Sequence, residues 1–104
     1  MTAALKRRYG RTDANLQEIV AYLRERECWV YVLPPDAGAD LLVGISRWYG
    51  RARWELVEVK DGKKSPSAQK LTDHEIGVRA VLNEMGLEYN VVTSLEDAAK
   101  LLDG

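Results

Sequence analysis

Residues 40–60, DLLVGISRWYGRARWELVEVK, hold two apolar runs on which the reading of the whole chain turns. Asp40-Leu-Leu-Val-Gly44 has the length and composition of a short buried strand, and Arg53-Trp-Glu-Leu-Val-Glu-Val-Lys60 those of a longer one. Between them, Ser46 to Arg51 forms a polar turn around Gly50, with Trp48 and Tyr49 expected to be exposed. The pair predicts a hairpin that brings Glu58 back beside Asp40. Side chains alternate along the second strand, so Trp54, Leu56, Glu58 and Lys60 share one face while Glu55, Val57 and Val59 take the other.

Upstream of the hairpin, Leu16, Ile19, Val20 and Leu23 follow the i, i+3, i+4, i+7 spacing of a helix face, predicting a helix over 12–27 capped by Thr12 or Asp13. Cys28-Trp-Val-Tyr-Val-Leu33 reads as a strand, stopped by Pro34-Pro35 because proline lacks the donor a sheet requires. Downstream, Asp61-Gly62 ends the hairpin and Lys63-Lys64-Ser65-Pro66-Ser67 is a basic loop. Thr72-Asp-His-Glu75 then matches a capping box that opens a second helix, with Val78, Val81, Leu82 and Met85 at helical spacing and Gly86 at its end. Leu87 to Thr93 reads as a fourth strand, and Ser94-Leu-Glu-Asp97 as a second box opening a short helix through Leu102. The order is α-β-β-β-α-β-α, an α/β fold in one domain over 1–104. Residues 1–11 are expected to form a basic, flexible lead-in, and Tyr22, Trp29 and Trp54 to belong to the core.

With 15 Lys and Arg against 16 Asp and Glu, the net charge of -1 argues against a nucleic-acid partner. The charge is nonetheless segregated: residues 1–12 hold four basic residues and no acid, residues 47–70 seven against three, and residues 73–104 two against seven. Such asymmetry suits a polyanion-binding face on a neutral protein. Cys28 is the single cysteine and sits in an apolar run, which excludes an internal disulfide and suggests a reducing, cytoplasmic setting. No apolar stretch approaches the roughly 18 residues of a membrane span. His74 is the single histidine, read as a solvated side chain in the capping box, so chemistry that needs two histidines in one chain is excluded.

Asp40, Glu58 and Lys60 can converge within an otherwise apolar hairpin, where charges cost free energy unless a metal or partner compensates them. Paired carboxylate oxygens suit Mg²⁺, and a metal with a nearby ammonium can activate water and neutralise the charge of a phosphodiester under attack. The plain alternative is an exposed Glu58–Lys60 pair on an amphipathic strand. Arg47, Arg51 and Arg53 around Trp48 and Tyr49 suit phosphate contact and base stacking, or a subunit interface, and Lys63 and Lys64 suit phosphate steering.

Asp40 followed by Glu58-Val59-Lys60 in an αβββαβ order resembles the PD-(D/E)xK nuclease superfamily. With Asp13-Ala-Asn-Leu-Gln17 before and Gln69-Lys-Leu-Thr72 after, residues 11–102 resemble the small stand-alone VRR-NUC nucleases of phages and their relatives among Holliday-junction resolvases. The resemblance implies a restriction-endonuclease-like core with a mixed four-stranded sheet between helices. It implies that Asp40, Glu58 and the Val59 carbonyl bind Mg²⁺, with Mn²⁺ as a substitute, and that Lys60 assists hydrolysis. It also implies that Gln69 reaches the site, together with a polar residue of the first helix: Gln17, with Glu18 and Asp13 as alternatives, where many relatives place a glutamate. Ala39 stands where the pattern has proline. The expected activity is Mg²⁺-dependent cleavage of DNA, branched or at junctions, by a homodimer, with Arg11, Arg47, Arg51, Arg53, Lys63 and Lys64 on the DNA. Two rival readings are a non-cleaving nucleic-acid binding module of the same fold and a protein-interaction domain with an accidental motif.

Overall fold

The structure, a computed structural model, describes residues 3–103, with side chains from Ala14 onward. Helix α1 (Ala3–Glu25) leads into strand β1 (Trp29–Val32), followed by β2 (Leu41–Ile45), a 3-10 turn over Arg47–Tyr49, and β3 (Arg53–Val59). A second 3-10 turn over Pro66–Gln69, helix α2 (Asp73–Glu84), strand β4 (Tyr89–Val92) and helix α3 (Leu95–Asp103) complete the chain. The strands lie in the order β1-β2-β3-β4. The first three pair antiparallel and β4 runs parallel to β3, a geometry that requires the α2 crossover. The α/β order and the mixed four-stranded sheet are those expected.

Most boundaries agree with the local signals. Thr72 Oγ1 accepts from Glu75 N at 3.2 Å and Thr72 N donates to Glu75 Oε1 at 2.8 Å, so the first capping box is complete. Gly86, at φ +84, ends α2 with Leu87 N donating to Leu82 O at 2.8 Å. The second box is modified: Ser94 Oγ accepts from Asp97 N, but the Asp97 carboxylate turns to Thr93 N and Oγ1. At the first helix the expectation differs. It begins at Ala3, so Thr12 and Asp13 are interior positions, and it ends at Glu25 because Glu27 takes a left-handed φ of 63° while Cys28 N donates to Leu23 O. The side chains of the basic segment, Arg11 included, and of Asp13 lie outside the described residues.

One sheet face carries the core. Leu16, Ile19, Val20 and Leu23 of α1 and Ala98 and Leu102 of α3 pack on Val30, Leu41, Val43, Ile45, Val57 and Val92, burying this apolar stripe from water. The opposite face is covered incompletely by α2, which contains no buried residue. Val81 and Met85, on its apolar side, are 58% and 67% exposed. For the same reason Trp29 and Trp54, expected in the core, are 56% and 64% exposed and pack edge-to-face on one another at 5.6 Å. Their strand positions alternate with Val30 and Val57, so the residues that fill the core send these two tryptophans to the open side. Tyr22 is partly buried against the core, as is Tyr49, whereas Trp48 alone of the turn pair is fully exposed. Among the described residues no helix is long and apolar enough to cross a membrane.

Candidate active site

Asp40 occupies the last position before β2. Its N–H donates to Val57 O at 3.0 Å and its carbonyl accepts from Leu33 N at 2.8 Å, so its backbone is held from both sides. Leu41 faces Val57 across the sheet, and Asp40, just before it, brings its carboxyl beside that of Glu58, within hydrogen-bonding reach. Asp40 Oδ2 accepts from Val59 N at 2.8 Å. The N–H and C=O of one strand residue point the same way, so the Val59 carbonyl is also directed to the Asp40 side, past the end of β2.

The loop before Asp40 has its own supports. Gly38, at φ +83, lies so close to α2 that a Cβ would come within 2.5 Å of Val78 Cγ2, which only glycine avoids. Tyr89 Oη donates to Gly38 O at 2.5 Å, and His74 Nε2 donates to Asp36 O at 3.1 Å. The sole histidine is therefore a tie between α2 and this loop rather than an unengaged surface group.

Glu58 is a buried acid, 3% exposed, in the middle of the sheet's α2 side. It lies within hydrogen-bonding reach of Asp40 and Glu75, and its Oε2 is 3.1 Å from Lys60 Nζ. Burial, followed by the charge of Asp40, pushes its pKa up to about 8. Glu58 is thus predominantly protonated at neutral pH in the metal-free protein and can donate to its two acidic neighbours. Burial also raises Asp40, against the pull of the Val59 N–H. For Lys60 burial alone would lower the pKa, but Glu75 and Glu58 outweigh it and hold the ammonium charged. Glu75 is lowered, since the Thr72 N–H and Lys60 overcome its burial.

Glu75 is the member that the sequence concealed, because its place in the capping box accounted for it. Its Oε1 accepts from both Thr72 N and Lys60 Nζ, the latter at 3.0 Å. A cavity of about 200 Å³ opens between the loop 34–39 and the start of α2, with Asp40, Glu58, His74 and Glu75 in its walls. A larger groove of about 710 Å³ between β3 and the far end of α2 is lined by Trp54, Leu56, Leu82 and Leu87. Its charged residues are Arg53 and Glu55, paired at 3.1 Å, with Glu88 and Lys100, whereas the Asp40, Glu58 and Glu75 carboxyl groups meet at the smaller cavity.

The remaining expected residues divide. Gln69 lies elsewhere: its Nε2 donates to Lys64 O at 2.6 Å and Gly62 O at 3.3 Å, bracing the loop after β3, and it is not part of the cavity wall. Gln17 and Glu18 are exposed on α1, and the helix reaches the site strand through Asn15, whose Nδ2 donates to Lys60 O at 2.7 Å. Asn15 lies four residues before Ile19 and eight before Leu23, at the margin of the buried stripe, which is the signal that marks it. Arg53, expected on the DNA, is engaged within the fold. Its guanidinium binds Glu55, the carbonyls of Tyr49 and Arg51, and at 2.7 Å the carbonyl of Leu101 near the C-terminal end of α3. Arg47, Arg51, Lys63 and Lys64 are exposed.

Among the described residues no group of three or more His, Cys, Asp or Glu side chains is placed to hold a metal ion. The available donors are two carboxylates and a main-chain carbonyl, a hard oxygen set of the kind that binds Mg²⁺ when water and phosphate complete the shell. No family model matches the sequence, and no curated protein matches it significantly. A solved structure described as a VRR_NUC domain matches with a TM-score of 0.59 and 26% identity, covering 84% of this chain and 92% of that one.

Proposed function

From the premise that this chain has the VRR-NUC nuclease fold, we propose that it is a metal-dependent DNA endonuclease acting on branched or junction DNA as a homodimer. The observation that carries the reading is the convergence of the Asp40 and Glu58 carboxyl groups, within hydrogen-bonding reach of each other, with Lys60 Nζ 3.1 Å from Glu58 Oε2. Such a buried cluster costs stability in an otherwise apolar sheet, and a ligand that neutralises it explains its presence. Asp40, Glu58 and the Val59 carbonyl would hold Mg²⁺ or Mn²⁺. When bound, such an ion supplies charge neutralisation at the scissile phosphate and a more acidic water. Lys60 provides the cation that steadies the phosphate oxygens as negative charge builds on them. Asp40, fixed by Val59 N and by two backbone bonds, is preorganised and spends little ordering entropy on binding.

DNA as substrate is supported by exposed Lys63 and Lys64 directly after the site strand, and by Arg47 and Arg51 at the opposite end of the hairpin. A homodimer is supported by arithmetic of sites: one chain offers one constellation, and symmetric cutting of two strands needs two. The test is incubation of the purified chain with Mg²⁺ or Mn²⁺ on linear, flap and four-way DNA. Cleavage that disappears in Asp40→Ala and Lys60→Ala is expected, and cleavage unchanged in both overturns the assignment. Tight, salt-sensitive DNA binding without cleavage would instead establish a non-cleaving nucleic-acid binding module of the same fold.

A further inference from the structure

Lys60 sits between two carboxylates, and only one of them belongs to the proposed ligand set. The other, Glu75, comes from a different element, the first turn of α2. We propose, on the reading of the site given above, that Glu75 is a positioning residue that holds the Lys60 ammonium in place and ties it to the seat of α2.

A lysine side chain has four rotatable bonds and a strongly hydrated head, so a single partner leaves it many conformations. Two acceptors at 3.0 and 3.1 Å on either side of Nζ fix it. Glu58 also belongs to the proposed ligand set, whereas Glu75 lies outside it and bonds Lys60 Nζ directly at 3.0 Å. Glu75 is itself placed by the main chain: its Oε1 accepts from Thr72 N at 2.8 Å, and its own N–H donates to Thr72 Oγ1. The capping role does not require the charge, since glutamine closes the same box. Counter-charge for Lys60 does. The position of the lysine therefore depends on how the start of α2 sits on the sheet, and α2 has no buried side chain to fix it from within. Its contacts with the loop 34–39, through His74 and through Val78 against Gly38, become part of the support of Lys60.

Two substitutions separate the roles. Glu75→Gln keeps the cap and removes the charge; Thr72→Ala removes the side-chain half of the cap and keeps the charge and the Thr72 N–H. In Glu75→Gln, kcat on the best DNA substrate is expected to fall about tenfold or more with KM for DNA within about twofold, the signature of a lost transition-state contact. In Thr72→Ala, the melting temperature falls by a few degrees and kcat stays within about twofold. The lysine Nζ resonance in metal-free protein reads the position without any activity: a distinct, slowly exchanging Lys60 signal is expected in the wild type and Thr72→Ala, and its loss in Glu75→Gln. A wild-type rate or a faster one in Glu75→Gln, or the same rate loss in both variants, overturns the proposal. If the wild type cleaves no DNA, the nuclease reading fails, and the Lys60 resonance alone decides: an identical signal in wild type and Glu75→Gln refutes the positioning role.

Discussion

Glu58→Gln removes a carboxylic acid that the fold holds protonated far above its ordinary range, and the consequence for stability is calculable. Burial and the neighbouring Asp40 charge lift the Glu58 pKa from 4.5 to about 8. Below 4.5 the acid is protonated in both the folded and the unfolded chain. Between 4.5 and 8 only the folded chain keeps the proton, so unfolding releases it and stability falls as pH rises. Above 8 the contribution is gone. At about 1.4 kcal/mol per pH unit the window carries a ceiling on the order of 5 kcal/mol, comparable with the whole stability of a small domain. Asp40, also raised, acts in the same direction from 3.8 upward. Glu75 and Asp97 are lowered, so their stabilisation is complete above their ordinary values and is lost only as pH falls through their folded pKa values, below this window. Lys60, raised from 10.5, loses its contribution above that value and is silent here. Urea unfolding followed by far-ultraviolet circular dichroism in chelator, at steps from pH 5 to pH 9, should therefore show the wild type losing several kcal/mol. Glutamine keeps the volume and a donor for Asp40 and Glu75 but does not titrate, so the variant should vary by less than about 1 kcal/mol. Parallel pH profiles for the two proteins would refute the assignment of a buried, protonated Glu58.

Metal linkage follows from the same acid: Mg²⁺ should raise the wild-type melting temperature more at pH 8.5 than at pH 6.5, because the ligand must first lose its proton, and Asp40→Ala should abolish the rise. Equal shifts at both pH values, or a shift surviving in Asp40→Ala, would count against the ligand set. Gly38→Ala places a Cβ 2.5 Å from Val78 Cγ2 at a positive φ and should cost about 2 kcal/mol or more in urea unfolding; an unchanged midpoint would show that the loop is not packed on α2 as described. Arg53→Ala should cost about 2 kcal/mol of stability by releasing Glu55 and the α3 carbonyls, whereas Arg51→Ala should leave stability unchanged and lower the salt slope of DNA binding by about 0.9. The reverse pattern would return Arg53 to the DNA interface.

The beginning and end of α2 were legible from Thr72, Glu75 and Gly86, because capping uses residues adjacent in the chain. Its environment was not: the spacing of Val78, Val81, Leu82 and Met85 states that one side is apolar, and leaves open whether anything covers that side. Trp29 and Trp54 follow the same rule, since alternation assigns them to a face and only the placement of the helices decides which face is filled.

At the site, the sequence by itself determined Asp40, Glu58 and Lys60, because hairpin register and strand alternation place them together wherever the sheet lies. It also determined the α/β order and the segregation of charge. Tertiary structure alone decided the rest. Asn15 reaches the site strand, Gln69 braces a loop, Arg53 anchors α3, and Glu75 crosses from α2 to Lys60. Apart from the local brace of Gln69, these contacts join elements distant in the chain, and their directions depend on how helices roll and seat against the sheet. That seating is set by the packing of many side chains at once, whereas alternation and capping are settled within a few residues.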